Sequence, residues 1–161
     1  ATVWGRNPGA TTMQQQWRQR RKCVDMQRFC DGVGSRIRGN NQAWLTLKAP
    51  AGVSGLVRHE FEYAIPVDDA EAMWQLAPHR LEKTRWVLDL PGGEWVVDCF
   101  TGPNAPLVLA EVELPQVDQS VVIPPWCGLE ITGESLWSNA VLAQHPVQSW
   151  PLQGRVRHGL A

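Results

Sequence analysis

The sequence predicts a mainly β, α+β domain: an antiparallel β-barrel or strongly curved sheet with helices outside it. Three observations carry that expectation. Charged residues recur two apart in strand-like segments, as Arg36 and Arg38, Glu60 and Glu62, Lys83 and Arg85, and Glu111 and Glu113, with Lys48 closing a fifth. A spacing of two puts both side chains on one face of a strand. Apolar residues hold the alternate positions, among them Ile37, Leu45, Leu47, Phe61, Tyr63, Trp86, Val112 and Leu114, and turn residues separate the segments at Asn40-Asn41, Pro66 and Pro91-Gly92-Gly93.

Taken in order, residues 1–34 are rich in Gln, Arg, Gly and Thr and lack useful periodicity, so an irregular segment is expected, with a short helix over 13–22 as its one candidate element. Ser35–Gly39 and Gln42–Lys48 alternate across Asn-Asn and read as a hairpin. Leu56–Ile65 is a third strand, ended by Pro66. Asp68 or Asp69 can cap a helix running to about Leu76, with Pro78 stopping it. Leu81–Leu90 and Glu94–Phe100 form a second hairpin through Pro91-Gly92-Gly93. Leu107–Leu114 is a sixth strand and Gly128–Thr132 a short seventh. Ser138 or Asn139 starts a helix that ends before Pro146. The tail, residues 151–161, is expected to be flexible. The organisation is thus an N-terminal segment 1–34, a domain 35–150 and a tail.

A chain of 161 residues with 43% hydrophobic residues and nine tryptophans is most simply one folded domain. No apolar run is long enough to span a membrane, and the first residues lack the apolar core of a signal peptide. Cys23, Cys30, Cys99 and Cys127 match neither a zinc spacing nor a disulfide frame, and reduced thiols in a cytoplasmic protein are expected. The net charge of -1 conceals a division. Residues 1–59 carry ten Lys/Arg and two Asp, while residues 60–161 carry five Lys/Arg and fourteen Asp/Glu. The basic half has little aromatic interleaving and no module motif, so nucleic acid is not expected as a partner.

The charged faces either point to water or turn towards one another. Turned inward, Arg36, Arg38, Lys48, Lys83 and Arg85, with Arg58 as a sixth, offer cations that grip phosphate oxygens. Glu60, Glu62, Asp98, Glu111 and Glu113 then offer hard oxygen ligands for Mg²⁺ or Mn²⁺. Turned outward, they are ordinary solvated strand residues. Other motifs are excluded. Gly32-Val33-Gly34 lacks the third glycine of a dinucleotide loop and precedes a strand, no GxxxxGK[ST] occurs, and His59-Glu60 begins no HExxH.

From about Ser35 to Trp150 the chain resembles the CYTH domain, the family of triphosphate tunnel metalloenzymes. The matching stretches are Arg36-Ile37-Arg38, Ala43 to Lys48, Glu60-Phe61-Glu62-Tyr63 with Ile65-Pro66, Glu82-Lys83-Thr84-Arg85, Glu94-Trp95 through Asp98, Ala110-Glu111-Val112-Glu113, Glu130-Ile131-Thr132-Gly133 and Ser138-Asn139-Ala140. The resemblance implies an eight-stranded antiparallel tunnel-type barrel. By position it implies phosphate binding by Arg36, Arg38, Lys48, Lys83 and Arg85. It further implies a metal held by Glu60, Glu62, Glu111 and Glu113 with Asp98 nearby, and a catalytic set of Glu111, Glu113 and Lys83. The expected function is Mg²⁺- or Mn²⁺-dependent hydrolysis of a triphosphate compound, inorganic triphosphate first, by in-line attack of a metal-activated water. The family opens on a Glu-x-Glu-x-Lys strand, whereas no glutamate precedes Glu60 here, so that strand is expected to be missing. A non-catalytic polyphosphate or nucleotide binder, or a degenerate module, is therefore the alternative, and an adenylyl cyclase the second. The implied partner is a triphosphate-containing small molecule, with no membrane, for a monomer or homodimer.

Overall fold

Alternation of charged and apolar residues becomes an antiparallel ladder in the computed structural model, which describes residues 2–6, 22–30, 33–38, 42–51, 57–114, 116 and 119–160, with side chains at 42–47, 59–114, 116 and 119–160. The described strands are β1 (Thr2–Arg6), β2 (Lys22–Cys30), β3 (Val33–Arg38), β4 (Gln42–Ala51), β5 (Val57–Ile65), β6 (His79–Leu88), β7 (Glu94–Phe100), β8 (Val108–Glu113) and β9 (Cys127–Glu130). Three helices are described with them: α1 (Val67–Leu76), α2 (Asn139–Gln144) and α3 (Leu152–Arg157). The strands hydrogen-bond in the order β5-β4-β3-β2-β6-β7-β8-β1-β9, and every neighbouring pair is antiparallel. The class is the mainly β, α+β one that the alternation predicts. The described ladder has nine strands where the resemblance implies eight, and its order runs from β5 to β9 as a sheet. No described helix is long and apolar enough to cross a membrane.

Two expectations change. Residues 1–34 contain β1 and β2, and both are interior strands: β2 lies between β3 and β6, β1 between β8 and β9. Their backbone groups find partners on both sides, which stabilises a strand whatever its side-chain pattern. The helix expected over 13–22 lies outside the described residues, apart from Lys22, which opens β2. The tail also carries structure. It forms α3, His158 packs edge-on to Trp137 with ring centroids 4.8 Å apart, and Leu160 joins the apolar cluster beneath.

Helix starts follow local chemistry. α1 begins directly after Pro66, whose φ of -55° suits the entry to a helix, and Asp68 and Asp69 lie in the first turn instead of capping it. Carboxylates there favour the helix dipole. Ser138 caps α2, its Oγ accepting from the Val141 amide at 3.3 Å.

Directly opposed residues of antiparallel strands share a face, so the register sorts the sheet. Arg85 is opposite Asp98, Val96 opposite Glu111 and Glu94 opposite Glu113. Towards the other edge, Lys83 is opposite Asp25, Asp25 opposite Arg38 and Arg38 opposite Gln42. Arg36 is opposite Trp44, Thr46 opposite Glu62 and Lys48 opposite Glu60. Positions 36, 38, 48, 60, 62, 83, 85, 98, 111 and 113 therefore all fall on one face of a single sheet.

The other face is apolar. On β6–β8 it buries Leu88, Trp95, Val97, Ala110 and Val112, with Trp126 and Val121 among the residues packed against them. Each fully buried side chain of this size contributes roughly 1.5–3 kcal/mol. Cover is thinner on β4 and β5. There α1 packs Ala70 on Ala43, while Leu47, Phe61 and Tyr63 stay 36%, 51% and 56% exposed. At one end of the charged face itself, Leu81, Phe100 and Leu109 are buried with Trp137, Leu142 and Val147. α2 and the 3-10 turn Ser135–Trp137 thus plug that end.

Candidate functional site

Depth beneath this plug divides the charged residues. Lys83, on β6 beside the buried Leu81, is 1% exposed. An unpaired ammonium at that depth would cost several kcal/mol. Asp98 reaches it across the β6–β7 hairpin, and Lys83 Nζ donates to Asp98 Oδ2 at 2.5 Å. The same Nζ lies 3.5 Å from Asn139 Oδ1 and 5.5 Å from the centroid of the Phe100 ring.

Arg85, two residues along on the same face, binds Asp98 with a fork. Its Nε donates to Oδ1 and its Nη2 to Oδ2, both at 2.7 Å. Nη2 also approaches Glu111 Oε2 at 3.5 Å. The result is a chain of alternating charge, Lys83–Asp98–Arg85–Glu111. Side-chain exposure along it is 0%, 7%, 24% and 29%. It begins under α2 and opens towards Glu113 and Glu94, both exposed. Burial by itself would raise the Asp98 carboxyl, but the Lys83 charge and the Arg85 hydrogen bonds outweigh it and hold the group at about 2.

On the far strands, Glu62 Oε1 accepts from Thr46 Oγ1 at 3.2 Å, and Thr46 is itself buried. Glu60 is exposed and lies opposite Lys48 in the register. Arg36, Arg38 and Lys48 occupy positions on the charged face, and their side chains lie outside the described set. The sheet therefore brings Lys83, Arg85, Asp98 and Glu111 into one described cluster. Glu60 and Glu62, on β5, stand six places along the ladder from β8.

The donor chemistry of Glu111 and Glu113, two carboxylates on one strand face, suits a hard divalent cation. Asp98 differs, since both its oxygens already accept from cations. Among the described residues no three His, Cys, Asp or Glu side chains come together as a metal site. β1 places Val3 opposite Glu111 and Gly5 opposite Leu109, so no acid stands at those positions.

Two participants escaped the sequence reading. The register puts Asp25 between Lys83 and Arg38. Asn139 sat in the expected helix start, but only as one of two possible caps. Once Ser138 takes the cap, Asn139 becomes the first helical residue and meets Lys83.

Relatives share this chain's sequence and its fold. It is 34% identical over 113 residues to the inorganic triphosphatase of Acetivibrio thermocellus, spanning 69% of this chain and 71% of that protein. It is 36% identical over 118 residues to the inorganic triphosphatase of Nitrosomonas europaea, spanning 70% and 76%. The crystal structure of the inorganic triphosphatase NE1496 matches with a TM-score of 0.62 at 28% identity, covering 93% of this chain and 97% of that one. No family model matches. Identity at this level over more than two thirds of two named relatives, together with the shared fold, establishes that the chain belongs to the CYTH-like triphosphatase family.

Proposed function

We propose that this chain binds inorganic triphosphate on its charged face and hydrolyses it with a bound Mg²⁺ or Mn²⁺. The observation that carries the reading is the register, which puts five basic and five acidic positions on one face of one sheet. Relatives named as inorganic triphosphatases supply the substrate. In this reading Arg36, Arg38, Lys48 and Arg85 hold phosphate oxygens, and Lys83, sealed behind Arg85, attracts the same phosphates through its charge. Glu60, Glu62, Glu111 and Glu113 serve as oxygen donors to the ion, and Glu111, Glu113 and Lys83 form the catalytic set. Asp98 contributes by holding Lys83 and Arg85 side by side. In the same reading the charged face is enclosed as a tunnel around the substrate, in a cytoplasmic monomer or homodimer.

The chemistry follows from charge. Inorganic triphosphate is a polyanion, and it meets the cluster from the open end, where Arg85 is the more exposed of the two described cations. Exchange of the 3.5 Å Glu111 contact for a phosphate oxygen would leave the Asp98 fork intact. Lys83, fixed behind, adds positive potential in a site of low dielectric. A bound divalent cation would supply further neutralisation of phosphate charge.

Phosphate release from tripolyphosphate, measured with Mn²⁺, with Mg²⁺ and with chelator, tests the reading. Metal-stimulated release that Glu111→Ala abolishes is the expected result. The second reading, a polyphosphate binder without turnover, draws on Val3 and Gly5, which offer no acid beside Glu111 and Leu109. Tripolyphosphate binding with no release under any metal condition would favour it.

A further inference from the structure

We propose that Asn139 is a positioning residue: its neutral side-chain carbonyl fixes the Lys83 ammonium beside the charged face without cancelling its charge. The proposal rests on the triphosphatase reading for its consequence, and on geometry for its substance. Lys83 Nζ meets Asp98 Oδ2 and Asn139 Oδ1, and the two acceptors come from residues 15 and 56 positions away in the chain. Asp98, an anion shared with Arg85, holds the ammonium from the β6–β7 hairpin at 2.5 Å. An acceptor on α2 holds it from a second direction.

Asn139 can do this because α2 is itself fastened. Asn104, 2% exposed, donates from Nδ2 to the Leu142 carbonyl at 3.0 Å and accepts on Oδ1 from the Val147 amide at 3.0 Å. One side chain thus ties the last turn of α2 and the segment after it to the loop before β8. Gln148 Nε2 adds bonds to the carbonyls of Gly102 and Ala105. Ser138 caps the start, so the first turn that carries Asn139 is formed on a helix that Asn104 fastens at its other end. The choice of an amide matters. An aspartate at 139 would hold the ammonium equally well but add a negative charge where a polyanion must bind.

Two variants and two readouts decide. Amine-reactive labelling followed by mass spectrometry reports the accessibility of Lys83 with or without catalysis, and initial rates report KM and kcat for tripolyphosphate. Asn139→Leu is expected to raise Lys83 labelling at least tenfold and to raise KM. Asn139→Asp is expected to keep Lys83 protected while raising KM about tenfold, with thermal stability within a few degrees of the parent. Labelling unchanged in Asn139→Leu would overturn the proposal, as would labelling that rises equally in both variants, which marks mere loosening of α2. If Asn139→Leu does not fold, Asn139→Ser replaces it under the same criteria. Absence of turnover in the parent protein refutes the triphosphatase reading alone, because the labelling comparison still stands or falls by itself.

Discussion

Lys83 and Asp98 form an ion pair with side chains only 0% and 7% exposed, at the point where the plug of α2 meets the charged face. Replacing Asp98 with asparagine removes the carboxylate that lies 2.5 Å from the buried ammonium and strips the Arg85 fork of charge. Breaking one partner of such a pair costs about 3–5 kcal/mol. Urea unfolding of Asp98→Asn should show a loss of that size. A loss below 1 kcal/mol would mean that the pair is far better hydrated than its burial indicates.

The same pair sets an acid limit. Although burial pushes the Asp98 carboxyl upwards, Lys83 and Arg85 bring it down from 3.8 to about 2. A carboxyl depressed in the folded state contributes stability that is fully present above its unfolded value and is lost as pH falls through its folded value. The window therefore lies between pH 3.8 and about 2, and the contribution is about 2 kcal/mol. Unfolding free energies measured across that window should fall in the parent protein, and the fall should be shallower in Asp98→Asn.

Arg85→Lys separates charge from shape. Lysine keeps the positive charge but cannot make the two parallel 2.7 Å bonds to Asp98, nor present a fork to phosphate. Under the proposed function, tripolyphosphate affinity by calorimetry should fall about tenfold, roughly 1.4 kcal/mol. Equal affinity would show that Arg85 acts only as a point charge.

The strands carrying the site were legible because their ionic residues alternate with apolar ones over four to ten residues. β6, β7 and β8 lie within a residue or two of their expected limits for that reason. β1 and β2 were not legible, because what makes them strands is two flanking backbones: Trp4 pairs with Ala110 on one side and Glu130 on the other. α3 was missed for a related reason. Its anchors, His158 and Leu160, pack on Trp137 and its cluster, and none of them follows a local period. At the site, alternation correctly grouped the ionic positions but gave no measure of depth. That Lys83 is sealed while Arg85 reaches water depends on α2, which arrives more than fifty residues later in the chain.

Asn104 supplies the clearest stability test outside the charges. Its two 3.0 Å bonds to Leu142 and Val147 are buried, and alanine would leave a carbonyl and an amide unsatisfied. Such groups cost about 1–3 kcal/mol each. Asn104→Ala should lower the unfolding free energy by about 2–6 kcal/mol, with amide exchange accelerated first in α2. Uniform acceleration over the whole sheet would place the effect elsewhere.

Gly93 links a turn to the site through sterics. A Cβ built there would lie 2.5 Å from the Glu113 carbonyl oxygen and 2.7 Å from Val112 Cγ2. Neither contact is tolerable, and the first is to backbone, which cannot rotate aside. Gly93→Ala must therefore push the start of β7 away from the end of β8, where Glu94 and Glu113 are opposed. Overpacking of this kind costs about 1–3 kcal/mol, so the melting temperature should drop by several degrees. The displaced strand end carries Glu113 with it, so under the proposed function metal-stimulated phosphate release should fall further than in Gly154→Ala, whose Cβ meets nothing within 4 Å and which sits in α3. Equal activity in the two variants would detach Glu113 from the reaction.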